Sequence, residues 1–167
     1  METDRWITID PPLFKFKDGD QKENALGSTH EEEITDLARK RVKSWQDLPF
    51  SIFQIQNKFR NEMRVSGGLL RTKEFLMKDL YSFHASENDV EKFYKKVQDA
   101  YLKIFKKCGL KVIIVKALGG TIGGKRTDEF MVVSSVGEDK IAICKKCGFS
   151  ANVEALEKAK ICPACQG

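Results

Sequence analysis

The sequence has no long hydrophobic run, and this absence excludes a helix that spans a membrane. The longest aliphatic run extends from Val112 to Val115, whereas a helix needs about 20 apolar residues to cross a bilayer. The beginning of the chain also lacks the apolar stretch of a secretory signal, because Glu2, Asp4 and Arg5 lie there. We therefore expect a cytoplasmic protein without a membrane partner.

The chain also lacks a large excess of charge of one sign, internal repeats and low-complexity segments. Its 29 Lys and Arg and 24 Asp and Glu give a net charge of +5. This charge permits a polyanionic partner such as nucleic acid without requiring one. Hydrophobic residues make up 41% and aromatic residues 10% of the 167 positions, which excludes an intrinsically disordered chain and suffices for a folded core.

Cysteine is scarce, but four of the five cysteines form two Cys-x-x-Cys pairs near the C-terminus. Cys144 pairs with Cys147 and Cys162 with Cys165, and Gly148 after the first pair fits a tight knuckle. Without a secretory signal, this spacing favours a metal site over disulfides, and four thiolates suit a closed, structural Zn²⁺ site. Reduced or incidentally oxidised thiols are the alternative.

Hydrophobic periodicity predicts an α+β fold in which helices flank a mostly antiparallel sheet. An amphipathic helix is predicted over residues 30–46, and Ser28 or Thr29 with Glu31 or Glu32 would form its capping box. A second helix starts at Ser86 with Asp89, is stopped by Gly109, and makes Cys108 a core thiol. Later elements are three strands and a short helix, predicted over 111–117, 129–134, 140–143 and 152–159.

Two long strands, over residues 50–62 and 71–83, are predicted to form an antiparallel hairpin. One face of the second strand carries Phe75, Met77, Asp79, Tyr81 and Phe83. The many charges, among them Arg60 and Arg71, allow two interpretations: a solvated face of ion pairs, or a nucleotide site. Arginines neutralise phosphates, and an aromatic ring such as Phe75 stacks on a base.

The glycine-rich segment of residues 119–126 approaches the phosphate-binding P-loop motif. Arg126, however, stands where the motif needs Ser or Thr to hold Mg²⁺. The residues that follow predict a strand, whereas a P-loop needs a helix there. We therefore interpret the segment as a glycine loop between strands.

Three motifs, in order, resemble those of a known family. Residues 59–62 (Phe-Arg-Asn-Glu) and 68–84 resemble motif 2 of class II aminoacyl-tRNA synthetases, in the form found in the bacterial type of prolyl-tRNA synthetase. Residues 26–32 are similar to that family's Thr-x-Glu loop, and residues 119–132 to the segment that closes its proline pocket. The resemblance covers the chain from Trp6 to about residue 157.

The resemblance implies activation of proline with ATP to prolyl-adenylate, followed by transfer to tRNA(Pro), with Mg²⁺ accompanying ATP. It implies that Arg60 binds the α-phosphate and the proline carboxylate, and that Arg71 binds the terminal phosphates, so both are catalytic candidates. It also implies that Glu62 binds the adenine amino group and that Phe75 stacks on the adenine ring. The implied proline site consists of Thr29, Glu31, Arg60, Met77, Tyr81 and Glu129.

Each of these roles has a simpler alternative. Thr29 and Glu31 could merely cap a helix, and Met77 and Tyr81 could be ordinary core residues. The competing functions are a zinc-ribbon module that binds nucleic acid and a paralogue that keeps the fold without the reaction.

The sequence departs from the family in lacking its motif 1, motif 3 and anticodon-binding domain. We expect part of a longer synthetase, or else a standalone paralogue. Residues 1–140 would form a partial catalytic domain, and residues 141–167 a four-cysteine zinc knuckle at the position of the family's editing insertion. The family is homodimeric, but its interface motif is missing here, and the chain alone is predicted to be weakly active or inactive.

Overall fold

A computed structural model of the protein describes residues 3–9, 12–119, 124, 126–156 and 161–167. The chain divides into two compact units, Met1–Lys92 and Phe93–Gly167. The division falls inside the longest helix, and the sequence-based boundary after residue 140 stays a prediction.

The first unit begins with one turn of helix and a short antiparallel hairpin. Helix α1 covers Arg5–Thr8, and strand β1 (Lys15–Lys17) pairs with β2 (Glu23–Ala25). The Asp18 carboxylate holds the intervening turn by accepting a 3.0 Å hydrogen bond from the backbone amide of Asp20. This turn connects the two short strands.

Helix α2 covers Glu31–Arg41, so it is shorter than the helix predicted over residues 30–46. After three non-helical residues, a 3₁₀ turn covers Trp45–Asp47. The residue before α2 is His30, and no side chain among the described residues caps the helix there. The predicted capping box is wrong, because the Thr29 hydroxyl donates instead to a carboxylate within the first turn.

The long hairpin is confirmed as two paired strands, β3 (Phe50–Phe59) and β4 (Glu74–Phe83). Both strands end earlier at the loop than predicted. Arg60 and Glu62 lie just after β3, and Arg71 lies in the loop before β4. The ladder ends there because the loop turns on itself, with its own bridge from Ser66 to Arg71.

The polar face of β3 points into the unit. Phe53 and Ile55 are 64% and 61% exposed, whereas Lys58 is fully buried. Lys58 lies opposite Phe75, and Gln54 opposite Asp79. Alternation along a strand puts these residues on one face, so the inner surface of the hairpin is polar where a plain core would be apolar.

The second unit contains a four-stranded sheet in the order β6-β5-β8-β7. Its strands are β5 (Val112–Lys116), β6 (Asp128–Val132), β7 (Ile141–Ile143) and β8 (Ser150–Asn152). β5 pairs in parallel with β8, and the other pairs are antiparallel. The three predicted strands are thus present, while the central strand β8 was not predicted.

The core of this sheet is small and centres on the parallel pair. Val115 is fully buried, and Ala151 and Ser150 are 1% and 6% exposed. A 3₁₀ turn, Val153–Leu156, follows β8 where a short helix was predicted over 152–159. The last part of that prediction lies outside the described residues.

Helix α3 covers Glu87–Lys107. In the second unit its aromatic side chains pack against Phe130 of β6, whose ring centroid lies 5.3 Å from that of Tyr101 and 5.8 Å from that of Phe105. Among the described residues, no helix combines the length and the apolar composition that crossing a lipid bilayer requires.

The two ends of α3 differ in how well they were predicted. Ser86 starts the helix as expected, because its hydroxyl accepts a 3.3 Å hydrogen bond from the amide of Asp89. Cys108 is not the predicted core thiol but is exposed. The helix ends at Lys107, and Cys108 lies in the turn where Gly109 adopts φ +74°.

Candidate active site

A buried polar cluster occupies the inner face of the β3–β4 hairpin. The Asp79 carboxylate accepts hydrogen bonds from Lys58 Nζ at 3.0 Å, Gln54 Nε2 at 2.7 Å and Tyr81 Oη at 2.6 Å. The Lys58 side chain is fully buried and that of Asp79 is 13% exposed. A buried ion pair with this many partners is held in one geometry, so the cluster makes the hairpin face rigid.

The cluster determines the ionisation of its members. Burial raises the pKa of Asp79, but hydrogen bonds from Tyr81, Gln54 and Lys58 outweigh it and hold the pKa below its usual value. Burial and the hydrogen bond to Asp79 raise the pKa of the Tyr81 phenol. At neutral pH the cluster therefore contains a carboxylate and an un-ionised phenol that donates to it.

Arg60 lies directly after β3, where its backbone amide still donates to the Lys73 carbonyl at 2.9 Å, just before β4. Its guanidinium carbon lies 5.4 Å from the centroid of the Phe75 ring, and its Nε donates to the Ser28 carbonyl at 3.2 Å. The ring supports the cation from one side. The guanidinium is thereby fixed between the hairpin and the loop that precedes α2.

The same loop carries Thr29 and leads into Glu31. The Thr29 hydroxyl donates to Glu31 Oε2 at 2.5 Å, and Arg5 Nη1 lies 3.1 Å from the same oxygen. Partial burial raises the pKa of Glu31, but the hydrogen bonds from Thr29 and Arg5 hold it below its usual value. Glu31 is therefore a partly buried, ionised carboxylate that already binds one cation.

Two further contacts fasten this loop to the hairpin. The Phe59 amide donates to the Gly27 carbonyl at 2.9 Å. Gln56 Nε2 lies 3.1 Å from Nε2 of His30. Ser28, between them, is only 3% exposed. The Thr-x-Glu loop and the motif 2 strand, some 30 residues apart in sequence, thus form one surface.

A cavity of about 810 Å³ borders this loop on the side of α1. Thr29, Glu31 and Arg5 line it together with the apolar side chains of Trp6 and Leu26. The Lys15 ammonium lies over the Trp6 ring, 4.9 Å from its centroid. Among the described residues, the cavity lining includes Thr29 and Glu31 but not Arg60, Met77 or Tyr81, so the cavity borders only one side of the candidate site.

The remaining candidates of the first unit lie on β4 or in the loop. Met77 faces Gln56 across the hairpin and, like Tyr81, is half-buried on the inner face. Glu62 accepts the Arg64 amide at 2.9 Å, and Arg71 forms the bridge with Ser66. The structure thus brings Arg60, Phe75, Thr29 and Glu31 together, whereas Glu62 and Arg71 lie in the connecting loop.

Glu129 belongs to the second unit, on β6 opposite Val115. Its Oε2 accepts a 3.2 Å hydrogen bond from the Asn152 side-chain amide of β8. Much of the glycine-rich segment before it, at residues 120–123 and 125, lies outside the described residues. The segment that follows is β6, which agrees with the strand, and not the helix of a P-loop, expected there.

The four paired cysteines converge in the second unit. Their sulfur atoms all lie within 4.8 Å of one another, with 3.7 Å between Cys144 and Cys165 and between Cys147 and Cys162. Hydrogen bonds from the amides of Cys147 and Lys146 lower the pKa of Cys144 to about 6. The Gly167 amide lowers the pKa of Cys165, but the neighbouring thiols prevail and raise it to about 12.

Sequence reasoning missed the buried partners of the site. Lys58 and Gln54 alternate with apolar residues along β3, and Asp79 shares a face with Phe75 and Tyr81. That alternation was the available signal: two polar faces that oppose each other in a hairpin must pair with one another or with water. Arg5 carried no comparable signal, because its contact with Glu31 spans 26 residues of sequence.

Comparison with known proteins places this arrangement in a class. The family model of the tRNA synthetase class II core domain (G, H, P, S and T) matches residues 14–160. Because the match covers most of the chain, the chain belongs to this class II synthetase family, and the α+β fold predicted from the sequence is confirmed.

Within that class, the similar proteins are proline–tRNA ligases. The chain is 51% identical over 156 residues to that of Caldicellulosiruptor saccharolyticus, 53% over 156 to that of Sulfurihydrogenibium sp. and 49% over 157 to that of Bacillus subtilis. The alignments cover 93–94% of this chain and 27–28% of each relative. The chain thus spans little more than a quarter of the length of the curated relatives it matches.

Proposed function

We propose that the chain is the proline-activating part of a prolyl-tRNA synthetase, in which proline and ATP form prolyl-adenylate and pyrophosphate. The observation that carries this proposal is the fixed position of Arg60, between the Phe75 ring and the Ser28 carbonyl. This cation lies where the Thr-x-Glu loop joins the motif 2 strand. A substrate with an ammonium and a carboxylate can therefore contact both elements at once.

Proline would bind with its ammonium near Glu31 and its carboxylate near Arg60. Glu31 is ionised and Thr29 orients it, so it can receive the charged nitrogen. The planar guanidinium of Arg60 can contact both the carboxylate and the α-phosphate. The carboxylate is already a nucleophile, so positioning and charge neutralisation supply the rate without a general base.

ATP would lie along the loop side of the hairpin. Phe75 offers a ring face to adenine, and Glu62 an acceptor for its amino group. Arg71, in the same loop, would neutralise the terminal phosphates. The resemblance implies that Mg²⁺ accompanies ATP, and the ion would screen the phosphate charges as the negative charge redistributes.

The proline ring would lie against the inner face of β4. Met77 and Tyr81 are half-buried there. Met77 offers an apolar side chain, and the hydrogen bond to Asp79 holds the Tyr81 ring. The resemblance also assigns Glu129 a supporting role in the proline site. Transfer to tRNA(Pro) in the cytoplasm, within a homodimer, completes the proposal for the whole protein.

Calorimetric titration with a non-hydrolysable prolyl-adenylate analogue tests the proposal. We expect the chain to bind this analogue and not the leucyl analogue, and Arg60→Ala to weaken binding about 10- to 100-fold, because charged hydrogen bonds contribute about 1.5–3 kcal/mol. Arg41→Ala, at the exposed end of α2, is the matched control and should bind normally. Equal affinity of wild type and Arg60→Ala would overturn the assignment.

Catalysis is measured separately, as proline-dependent exchange of pyrophosphate into ATP. We expect little exchange from the 167-residue chain alone, and robust exchange that Arg60→Ala abolishes from the chain within a full-length synthetase. Binding of the analogue without exchange in both settings would instead identify a non-catalytic paralogue.

A further inference from the structure

We propose that Cys144, Cys147, Cys162 and Cys165 bind one Zn²⁺ ion, and that this ion holds the β7–β8 hairpin in place. Through β8 it also fixes the Asn152 amide that orients Glu129. This inference is independent of the proposed function.

The separation of the sulfur atoms fits a tetrahedral zinc site. Zinc–sulfur bonds of about 2.3 Å place two sulfurs about 3.8 Å apart on the edge of a tetrahedron. The two measured pairs are 3.7 Å apart, and all four sulfurs lie within 4.8 Å. A disulfide would require about 2.05 Å, so the arrangement fits a shared cation better than two covalent bonds.

The two Cys-x-x-Cys turns have the same backbone form, although their sequences differ. In the first, the Gly148 amide donates to the Cys144 carbonyl at 2.9 Å, and Gly148 has φ +76°. In the second, the Gln166 amide donates to the Cys162 carbonyl at 2.8 Å, and Gln166 has φ +54°. A non-glycine residue rarely adopts this conformation. Its repetition indicates that both turns meet one requirement, which is to aim two sulfurs at one point.

The first turn is also the turn of the β7–β8 hairpin. The Cys144 amide donates to the Phe149 carbonyl at 2.8 Å, directly after the pair Ile143 and Ser150. β8 then contributes Ala151, which is 1% exposed, to the parallel pair with β5. An ion bound at the turn therefore fastens a strand in the middle of the sheet.

The strands involved are too short to be stable by themselves. β7 and β8 have three residues each, and isolated two-stranded hairpins are marginal in water. Binding of a structural zinc ion contributes directly to folding free energy. Without the ion, we expect β8 to loosen and the 3.2 Å contact from Asn152 to Glu129 to be lost.

The first experiment measures metal on chain purified under reducing conditions. We expect about one zinc per chain, and Co²⁺ substitution should give the charge-transfer and visible bands of a tetrahedral tetrathiolate site. Cys147→Ser should lose stoichiometric metal and Cys108→Ser, the exposed cysteine outside the cluster, should keep it. Absence of bound metal in the wild type, or intact disulfides within the cluster, would overturn the proposal.

The second experiment measures backbone amide exchange before and after zinc is chelated, and uses wild-type chain so that no variant has to fold. We expect exchange in residues 141–152 and 128–132 to accelerate about 10-fold or more, with no change in residues 15–25 of the first unit. Unchanged exchange in both second-unit segments would refute the role of the ion in holding β8.

Discussion

The buried pair of Lys58 and Asp79 should contribute measurably to the stability of the first unit, although a lysine at this position looks unremarkable in the sequence. Their charged atoms are 3.0 Å apart. At an effective dielectric constant of about 20, that distance corresponds to an attraction of about 5.5 kcal/mol. Desolvation of the two groups offsets part of it, so the loss on breaking the pair is smaller than this.

Lys58→Met removes the cation and leaves a buried carboxylate. Breaking a buried pair in this way costs about 3–5 kcal/mol. The lower end, about 3 kcal/mol, is expected here because Asp79 keeps its hydrogen bonds from Gln54 and Tyr81. With a urea dependence of about 2 kcal/mol per molar, the unfolding midpoint should fall by about 1.5 M.

Tryptophan fluorescence is the suitable probe, because both tryptophans, Trp6 and Trp45, belong to the first unit. Lys78→Met is the matched control, since Lys78 is exposed on the other face of the same hairpin, and it should shift the free energy of unfolding by less than about 0.5 kcal/mol. The double change of Lys58 and Asp79 to apolar residues should recover most of the loss. A midpoint for Lys58→Met that matches Lys78→Met would refute the reasoning.

Four further outcomes are expected. Phe75→Leu should weaken binding of the prolyl-adenylate analogue about 5-fold in calorimetry, because the ring supports the Arg60 guanidinium and, in the proposed complex, would also stack on adenine. Glu31→Gln should weaken it about 10-fold or more, since the carboxylate charge is lost. Tyr81→Phe should lower the free energy of unfolding by about 1 kcal/mol in urea, as one hydrogen bond to Asp79 disappears. Because folding lowers the pKa of Asp79, its contribution to stability is complete above about pH 3.8 and is lost as the pH falls through the lower pKa of the folded state. Acid titration followed by fluorescence should show this loss in the wild type and not in Asp79→Asn.

The hairpin illustrates what local pattern predicts well. The alternation along β3 and β4 predicted two antiparallel strands and the common face of Phe75, Met77 and Tyr81. The strand ends were predicted less well, because alternation continues through Arg60 and Glu62, although the ladder stops at Phe59. Periodicity reports which residues could pair, whereas the loop's own bridge decides where pairing ends.

The helices show what local pattern predicts poorly. The pattern predicted a cap for α2 from Thr29, but the Thr29 hydroxyl donates to the Glu31 side chain and not to the helix backbone. Cys108 followed the apolar stripe of α3 and is nevertheless exposed. A helical pattern identifies a possible apolar face, and only packing decides how far along the helix that face is covered.

The sequence by itself determined which candidate binding and metal-ligating groups this protein carries. The motif 2 residues, the Thr-x-Glu loop and the four paired cysteines are short, local patterns whose meaning depends on residue type and spacing. The tertiary structure alone decided how they are supported: Arg5 on Glu31, Lys58 on Asp79 and the Arg60 guanidinium against the Ser28 carbonyl. Those contacts join segments 21–32 residues apart, and they exist because burial forces each polar group to find a partner that the chain brings near only when it is folded.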